Sequence, residues 1–198
     1  MGYKSTTAPS REQLFWAFCR VLANETRIRL LFEIIHSAPL SVSELATRVK
    51  TLENGVSTHL KELHTYGLIT PNRLSQSVYY SIRKTPPEVY PKMILPALLD
   101  CEKSGIKPPT IIYQATAFTH QRRIEVVRLL SKQSLPSKSI LDLSNIKPSA
   151  LARHLTKLKA REVIMQAGSD FCLCPQNNKL GAALLEAALY KTPQSHTS

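Results

Sequence analysis

Asn54, Ser57, Thr58 and Lys61 stand at i, i+3, i+4 and i+7, the spacing that gathers side chains on one face of an α-helix. Val56, Leu60 and Leu63 fall on the opposite face. The polar strip offers an amide, two hydroxyls and an ammonium, and no carboxylate. Asn, Ser and Thr can meet base edges in a major groove, and Lys can meet guanine or a phosphate. Glu53 and Glu62 fall towards the sides. His59 borders the apolar face, where it can pack, cap or donate to a phosphate. A polar outer face on an amphipathic helix is often merely solvated, so groove contact needs support from the surrounding chain.

That support begins upstream. The pattern predicts a helix over Glu12–Leu22, with Phe15 and Trp16 as core residues. A second runs from an N-cap at Asn24 to about His36, with apolar residues around Ile28, Leu31 and Ile35. Pro39 ends it, and Ser43 is the expected cap of a short helix in SELATRV. A turn around Lys50–Leu52 leads into the polar-faced helix, expected over 52–65. Gly67 closes that helix. PNRLSQS then reads as a hairpin tip and VYYSIR as a strand. A short helix, a tight turn and a longer helix make a helix-turn-helix, and the hairpin makes it winged. Arg73 near the wing tip and Lys84 beyond it can reach a neighbouring minor groove or backbone.

The pattern then occurs again. Shifted by 96 residues, NETRIRLLFEII lies over HQRRIEVVRLLS, matching Arg27 to Arg123 and Ile28 to Ile124. Ser43 and Leu45 lie over Ser139 and Leu141; one residue is then lost. At a shift of 95, His59, Leu60, Leu63 and Ile69 lie over His154, Leu155, Leu158 and Ile164, and FCLC replaces VYYS as the returning strand. Two such units form a tandem rather than a solenoid. In the second, the outward positions hold Ser149, Ala152, Arg153 and Thr156, with Lys147 and Lys157 nearby and Lys159 and Arg161 behind. This face is more cationic but poorer in hydrogen-bonding groups, so it is expected to add affinity more than sequence discrimination.

A proline-rich connector separates the units. Pro87 fits a helix first turn, and Pro96 kinks a helix expected from about Glu88 to Lys103. An extended exit through Pro108 and Pro109 should follow. The final helix, KLGAALLEAALY, carries Leu180, Ala183, Leu184, Ala187 and Ala188 on one side, a stripe suited to close helix contact.

The chain has 198 residues, 43% apolar and 20% charged, enough apolar material for packed cores. Its net charge of +12 favours a polyanionic partner. Residues 1–84 hold eleven Lys and Arg against six Asp and Glu, residues 85–118 three of each, and residues 119–198 twelve against five. The excess therefore lies in the two units. No window of about twenty apolar residues implies a membrane span, and the start lacks a secretory signal. Cys19, Cys101, Cys172 and Cys174 make no disulfide framework, so a cytoplasmic location is expected. Cys172 and Cys174 are candidates for a soft-metal or redox site. No third ligand stands nearby, and small buried residues of a hairpin strand are the more economical reading. Nothing resembles a catalytic constellation or a nucleotide loop, so neither an enzyme nor a cofactor is expected.

LANETRIRLLFEI, SELATRV and VSTHLKELHTYGLIT resemble the ArsR-type winged-helix repressors of prokaryotes over Leu14–Arg83. The second unit resembles the same fold less closely, with AREVI in place of the Gly-Leu-Ile ending. Members of that family are usually single-domain homodimers that pair through helices flanking the DNA-reading core and leave DNA when a metal or other signal binds. The resemblance implies a transcription regulator. SELATRVKTLEN holds no Cys or His, so the metal cluster of the metal-sensing members is not expected. The doubled unit leaves two pairings open, a homodimer or an intrachain pseudo-dimer.

The expectation is thus a mainly α, α+β protein with two tandem winged helix-turn-helix domains. A winged-helix domain spans 10–84, a connector 85–107, and a second winged-helix-like domain with the C-terminal helix 108–190. Double-stranded DNA is the expected partner, and promoter occlusion the expected mode. The rival is a winged-helix scaffold whose polar face meets a protein.

Overall fold

A computed structural model describes residues 11–86 and 88–190; Pro87, the expected first-turn residue, lies outside them. The first unit runs α1 (Arg11–Leu22), α2 (Glu25–Ser37), β1 (Leu40–Ser41), α3 (Val42–Val49), α4 (Glu53–Thr65), β2 (Ile69–Leu74) and β3 (Ser77–Ile82), followed by α5 (Val89–Lys103). The second runs α6 (Pro108–Ala115), α7 (Gln121–Leu130), β4 (Leu135–Pro136), α8 (Ser137–Leu143), α9 (Pro148–Ala160), β5 (Ile164–Ala167), β6 (Asp170–Leu173) and α10 (Lys179–Leu189). Each unit is a winged helix-turn-helix with a three-stranded sheet, ordered β1-β3-β2 and β4-β6-β5.

Several local features follow the sequence closely. The Asn24 side chain accepts from the Arg27 N–H at 3.0 Å and starts α2. Lys50, at φ 55°, stops α3. Gly67, at φ +73°, lets the chain leave α4 in a conformation costly for other residues. Others differ. Ser41, not Ser43, caps α3, because only Ser41 stands three residues before Glu44, and the two exchange bonds in a capping box. Trp16 is only partly buried, with the Arg20 guanidinium 5.4 Å above its ring. Neighbouring helical residues diverge by about 100°, so Phe15 takes the core position alone.

PNRLSQS is mostly strand. Pairing continues from Ile69↔Ile82 to Leu74↔Ser77, leaving only Ser75 and Gln76 as the turn. Pro71 is tolerated because β2 is an edge strand. The second wing pairs only Ile164↔Leu173 to Ala167↔Asp170, four positions against six. The connector helix α5 continues through Pro96. The expected extended exit is instead the helix α6, which Pro108 and Pro109 begin, since the missing N–H of proline costs nothing in a first turn.

That helix completes the repeat. At the 96-residue offset Ile111 lies over Phe15, Ala115 over Cys19 and Phe118 over Leu22, and all six are buried. Arg27 donates to the carbonyls of Val21 (2.7 Å) and Arg20 (2.8 Å). Arg123 donates to Ala117 (2.6 Å) and Thr116 (3.0 Å), the same positions 96 residues on. The slip to 95 falls earlier than Ser139, because β4 already follows β1 at that offset. Ile140, fully buried, therefore occupies the place of Leu45, while Leu141 is only partly buried.

The units pack on each other through exchanged contacts. α1 meets α6, α5 meets α10, and the contact of α2 with α6 is mirrored by that of α1 with α7. Such reciprocity marks an isologous pairing, here inside one chain. Phe15 anchors the seam, its ring 5.0 Å from Tyr90 and 5.7 Å from Phe118. On α10, which packs against α5, α6 and α7, Gly181, Ala187 and Ala188 are buried with Leu180 and Leu184. Lys179 closes its rim with an ion pair to Asp100 at 2.6 Å. Buried side chains of both units form one continuous cluster.

Leu63 and Leu158, fully buried equivalents under the two polar strips, should each cost about 2–5 kcal/mol when cut to alanine. Because the cluster is continuous, either variant should unfold in one cooperative transition by urea titration. Two separated transitions would contradict a shared core.

Candidate nucleic-acid interface

α4 carries Asn54, Ser57, Thr58 and Lys61, all exposed, above fully buried Val56, Leu60 and Leu63. Two of the four are oriented from within the helix. Asn54 Oδ1 accepts from the Gly55 N–H at 2.7 Å, leaving its NH2 free to donate. Thr58 Oγ1 donates to the Asn54 carbonyl at 3.1 Å, leaving its lone pairs outward. The strip thus presents a donor, an acceptor, a rotatable hydroxyl and a cation along a helix whose rotation is set by its buried edge. Arg73 is exposed on β2, paired with Val78, one residue short of the exposed Leu74 at the wing turn. Lys84 is exposed just beyond β3.

On α9, Ser149, Ala152, Arg153 and Thr156 are exposed in the matching strip, and Lys147 is exposed at the helix start. Thr156 Oγ1 donates to the Ala152 carbonyl at 2.9 Å. The other three cations leave this strip. Lys157 is half-buried beside Arg161 and Arg123; burial first, then those two charges, lower its pKa. Lys159 turns to the sheet, bonded to Gln166 Oε1 at 3.0 Å with its ammonium 6.0 Å from the Phe171 ring. Arg161 faces α6, donating to Thr116 Oγ1 at 2.8 Å and lying 4.2 Å over Tyr113. Lys157, Lys159 and Arg161 therefore do not gather behind Arg153. Which side of α9 each meets is decided by α6, α7 and the sheet.

The two histidines occupy equivalent places with different neighbours. His59 is partly buried with Nδ1 unpartnered. Burial and then Arg27 lower its pKa, against Glu62. His154 packs its ring 4.7 Å from that of His120. Burial, followed by His120, Arg123, Arg153 and Arg122, lowers its pKa from 6.5 to about 4. His120, which motif reading passed over, caps α7 by accepting from the Arg122 N–H at 3.1 Å. The 96-residue offset from Asn24 is the signal that finds it.

Cys172 lies in β6 opposite Met165 and Cys174 just after it. Burial, then Cys172 and Glu162, raise the Cys174 pKa, away from the thiolate a metal would need. Among the described residues no three His, Cys, Asp or Glu side chains come together as a metal site. No helix of the described residues is long and apolar enough to cross a membrane.

The fold and this polar strip define a winged helix-turn-helix of the kind that DNA-binding regulators use. No family model matches the chain. Over 66 residues it is 32% identical to the transcriptional activator HlyU of Vibrio cholerae serotype O1 (strain ATCC 39315 / El Tor Inaba N16961), a match covering 33% of this chain and 60% of that protein. The solved structure of reduced HlyU from Vibrio cholerae N16961 aligns at 30% identity with a TM-score of 0.32, over 35% of this chain and 72% of that one. The chain thus matches about three-fifths of the curated relative's length, and a third of it is homologous, at low identity, to a winged-helix transcriptional regulator.

A histidine whose pKa is lower in the folded protein binds fewer protons there than in the unfolded chain. The stability tied to His154 is therefore complete above about pH 6.5 and is lost as pH falls towards about 4; His120 and His59 act in the same direction. Urea midpoints measured from pH 7.5 to 4.5 should decline, and His154→Gln should lessen the decline. An unchanged slope in that variant would contradict the assignment.

Proposed function

We propose that this chain is a double-stranded-DNA-binding transcription regulator of the winged-helix type, acting in the cytoplasm. The observation that carries the proposal is the exposed, acid-free strip Asn54, Ser57, Thr58 and Lys61 on a helix locked by a fully buried aliphatic edge. Asn54, Ser57 and Thr58 read base edges. Lys61, with Arg73 on the wing, meets guanine or the backbone, and His59 at the flank of the strip completes the first unit's contacts. Lys147, Ser149 and Arg153 of the second unit add affinity. The +12 charge and the likeness to a protein named a transcriptional activator support the same reading.

The chain divides into a DNA-reading domain over 10–84, a connector over 85–107 and a second domain over 108–190. Its internal pairing supplies the second reader that a homodimer would otherwise bring, so one chain engages two half-sites roughly one DNA turn, about 34 Å, apart. Because the two strips differ, the operator is not a palindrome. Promoter occlusion remains the proposed mode. HlyU is named an activator, and a reporter with the operator moved upstream of the promoter discriminates the two modes.

One chain should bind one duplex in sedimentation experiments. Affinity should fall linearly in log–log salt plots, by a slope of about 0.9 for each phosphate contacted. Feeble, salt-insensitive binding to mixed duplexes would instead favour the protein-interaction scaffold. In selection from random duplexes, Thr58→Ala should relax preference at one or two positions of one half-site. Arg153→Ala should weaken all sequences more evenly. Identical profiles for the two variants would overturn the division of labour.

A further inference from the structure

The duplication provides an internal comparison at the flank of each reading helix. In the first unit the site consists of Asn24, Arg27, His59, Glu62 and Tyr66. Its charges are balanced, since Glu62 lies close enough to favour the charged forms of Arg27 and His59. In the second unit the same five positions hold His120, Arg123, His154, Lys157 and Arg161. The arginine keeps its place and its backbone partners. The acid becomes a lysine, the phenol a guanidinium and the amide an imidazole.

The second site is tightly built. Thr116 holds both guanidiniums: its carbonyl accepts from Arg123 Nη2 at 3.0 Å and its hydroxyl from Arg161 Nε at 2.8 Å. Arg123 Nη2 also donates to Thr119 Oγ1 at 2.7 Å. The His154 and His120 rings lie 4.7 Å apart, near enough to Arg123 for its charge to act on both, with half-buried Lys157 beside Arg123 and Arg161. Arg122 and Arg153 stand close enough to act on His154.

Among the described residues, little negative charge answers this group. α9 contains no acid. On α7 the one acid, Glu125, is held by Arg122 at 2.8 Å. Glu162, next to Arg161 in the chain, acts on Cys174. Cys19 of α1, beside Arg123, is fully buried, and burial keeps its thiol protonated. Gathering like charges in a half-buried place is unfavourable unless a counter-charge occupies it.

We propose that this cluster is an oxyanion site for a phosphate group. Lys157 and His154 donate to it, His120 lies alongside, and the anchored Arg123 and Arg161 hold the field from behind. A phosphate, with several acceptor oxygens and more than one negative charge, fits an ammonium and an imidazole N–H set in a cationic surround better than a monovalent halide does. The phosphate belongs either to a free phosphorylated ligand or to the backbone of a bound duplex. The site itself does not rest on the DNA-binding reading.

The test follows the histidine Cε1–Hε1 signals of the full chain by NMR at pH 7 and constant ionic strength. Inorganic phosphate, pyrophosphate and a mixed-sequence duplex are titrated separately against chloride. The expected result is a saturable shift of His154 and His120 with little change at His59, weakened about tenfold in Lys157→Glu, which restores the first unit's residue. Lys157→Gln, a milder change, should give an intermediate loss. Response to phosphate or pyrophosphate establishes a free-ligand site. Response to duplex alone, with the same Lys157 dependence, establishes a backbone site. Equal, unsaturating drift of all the histidines, an adventitious ion only, overturns the proposal, as does indifference of the response to Lys157. A saturable phosphate response in a protein that ignores duplexes would refute the DNA-binding function and leave this site standing.

Discussion

The apolar faces of α1 and α5 have to be covered, and one winged-helix unit is too small to cover them. A domain of some 60–80 residues buries a smaller share of its surface than a larger one. In this fold the helices that flank the reading core are left with apolar sides pointing away from it. Phe15, Tyr90 and Phe118 show how the problem is met: aromatic rings from both halves close on one another at about van der Waals range. α10 packs against α5, and its stripe of small and apolar residues is buried. A second copy of the unit, built into the same chain, supplies that cover.

Covalent linkage frees the two halves from being identical. The features that hold the fold are retained at a constant offset. Arg27 and Arg123 each tie the end of the preceding segment to the next helix. Leu60 with Leu155, and Leu63 with Leu158, lie under the polar strips of α4 and α9. Outward features diverge. The first strip keeps hydrogen-bonding groups and the second exchanges them for alanine and arginine. The second wing is shorter by two residues in each strand. The flank of α9 has a lysine where α4 has an acid. A duplicated scaffold of this kind separates what packing demands from what each site does, because sites can change where the core does not.

Much of this architecture was legible along the chain. The asparagine cap of α2, the amphipathic helices α4 and α9, the wing strands and the 95- to 96-residue repeat all depend on residues within a few positions of each other, or on a fixed spacing. So does the exposure of Asn54, Ser57, Thr58 and Lys61, which follows from the helical period and the apolar edge opposite. Where local signals competed, the deciding one lay three residues on or one repeat away. Ser41 and Ser43 are equally good caps until Glu44 is seen to answer only one. Pro108 and Pro109 suit an extended segment as well as a helix start, and only the match of Ile111, Ala115 and Phe118 to buried positions of α1 settles it. The two-residue strands β1 and β4 have no period and exist only because β3 and β6 offer them an edge.

By itself, then, the sequence determined two winged-helix units, the rotation of α4 and α9 and the side chains each turns outward, because periodicity and burial act over short stretches. Only the tertiary structure decided that the units pair within one chain, and that Arg153 and Lys157, four residues apart, serve different places. Arg153 stays on the open face, while Lys157 lies against Arg123 from α7 and Arg161, which α6 holds. Which helix stands beside a side chain is set by contacts between segments dozens of residues apart, and no local pattern carries that information.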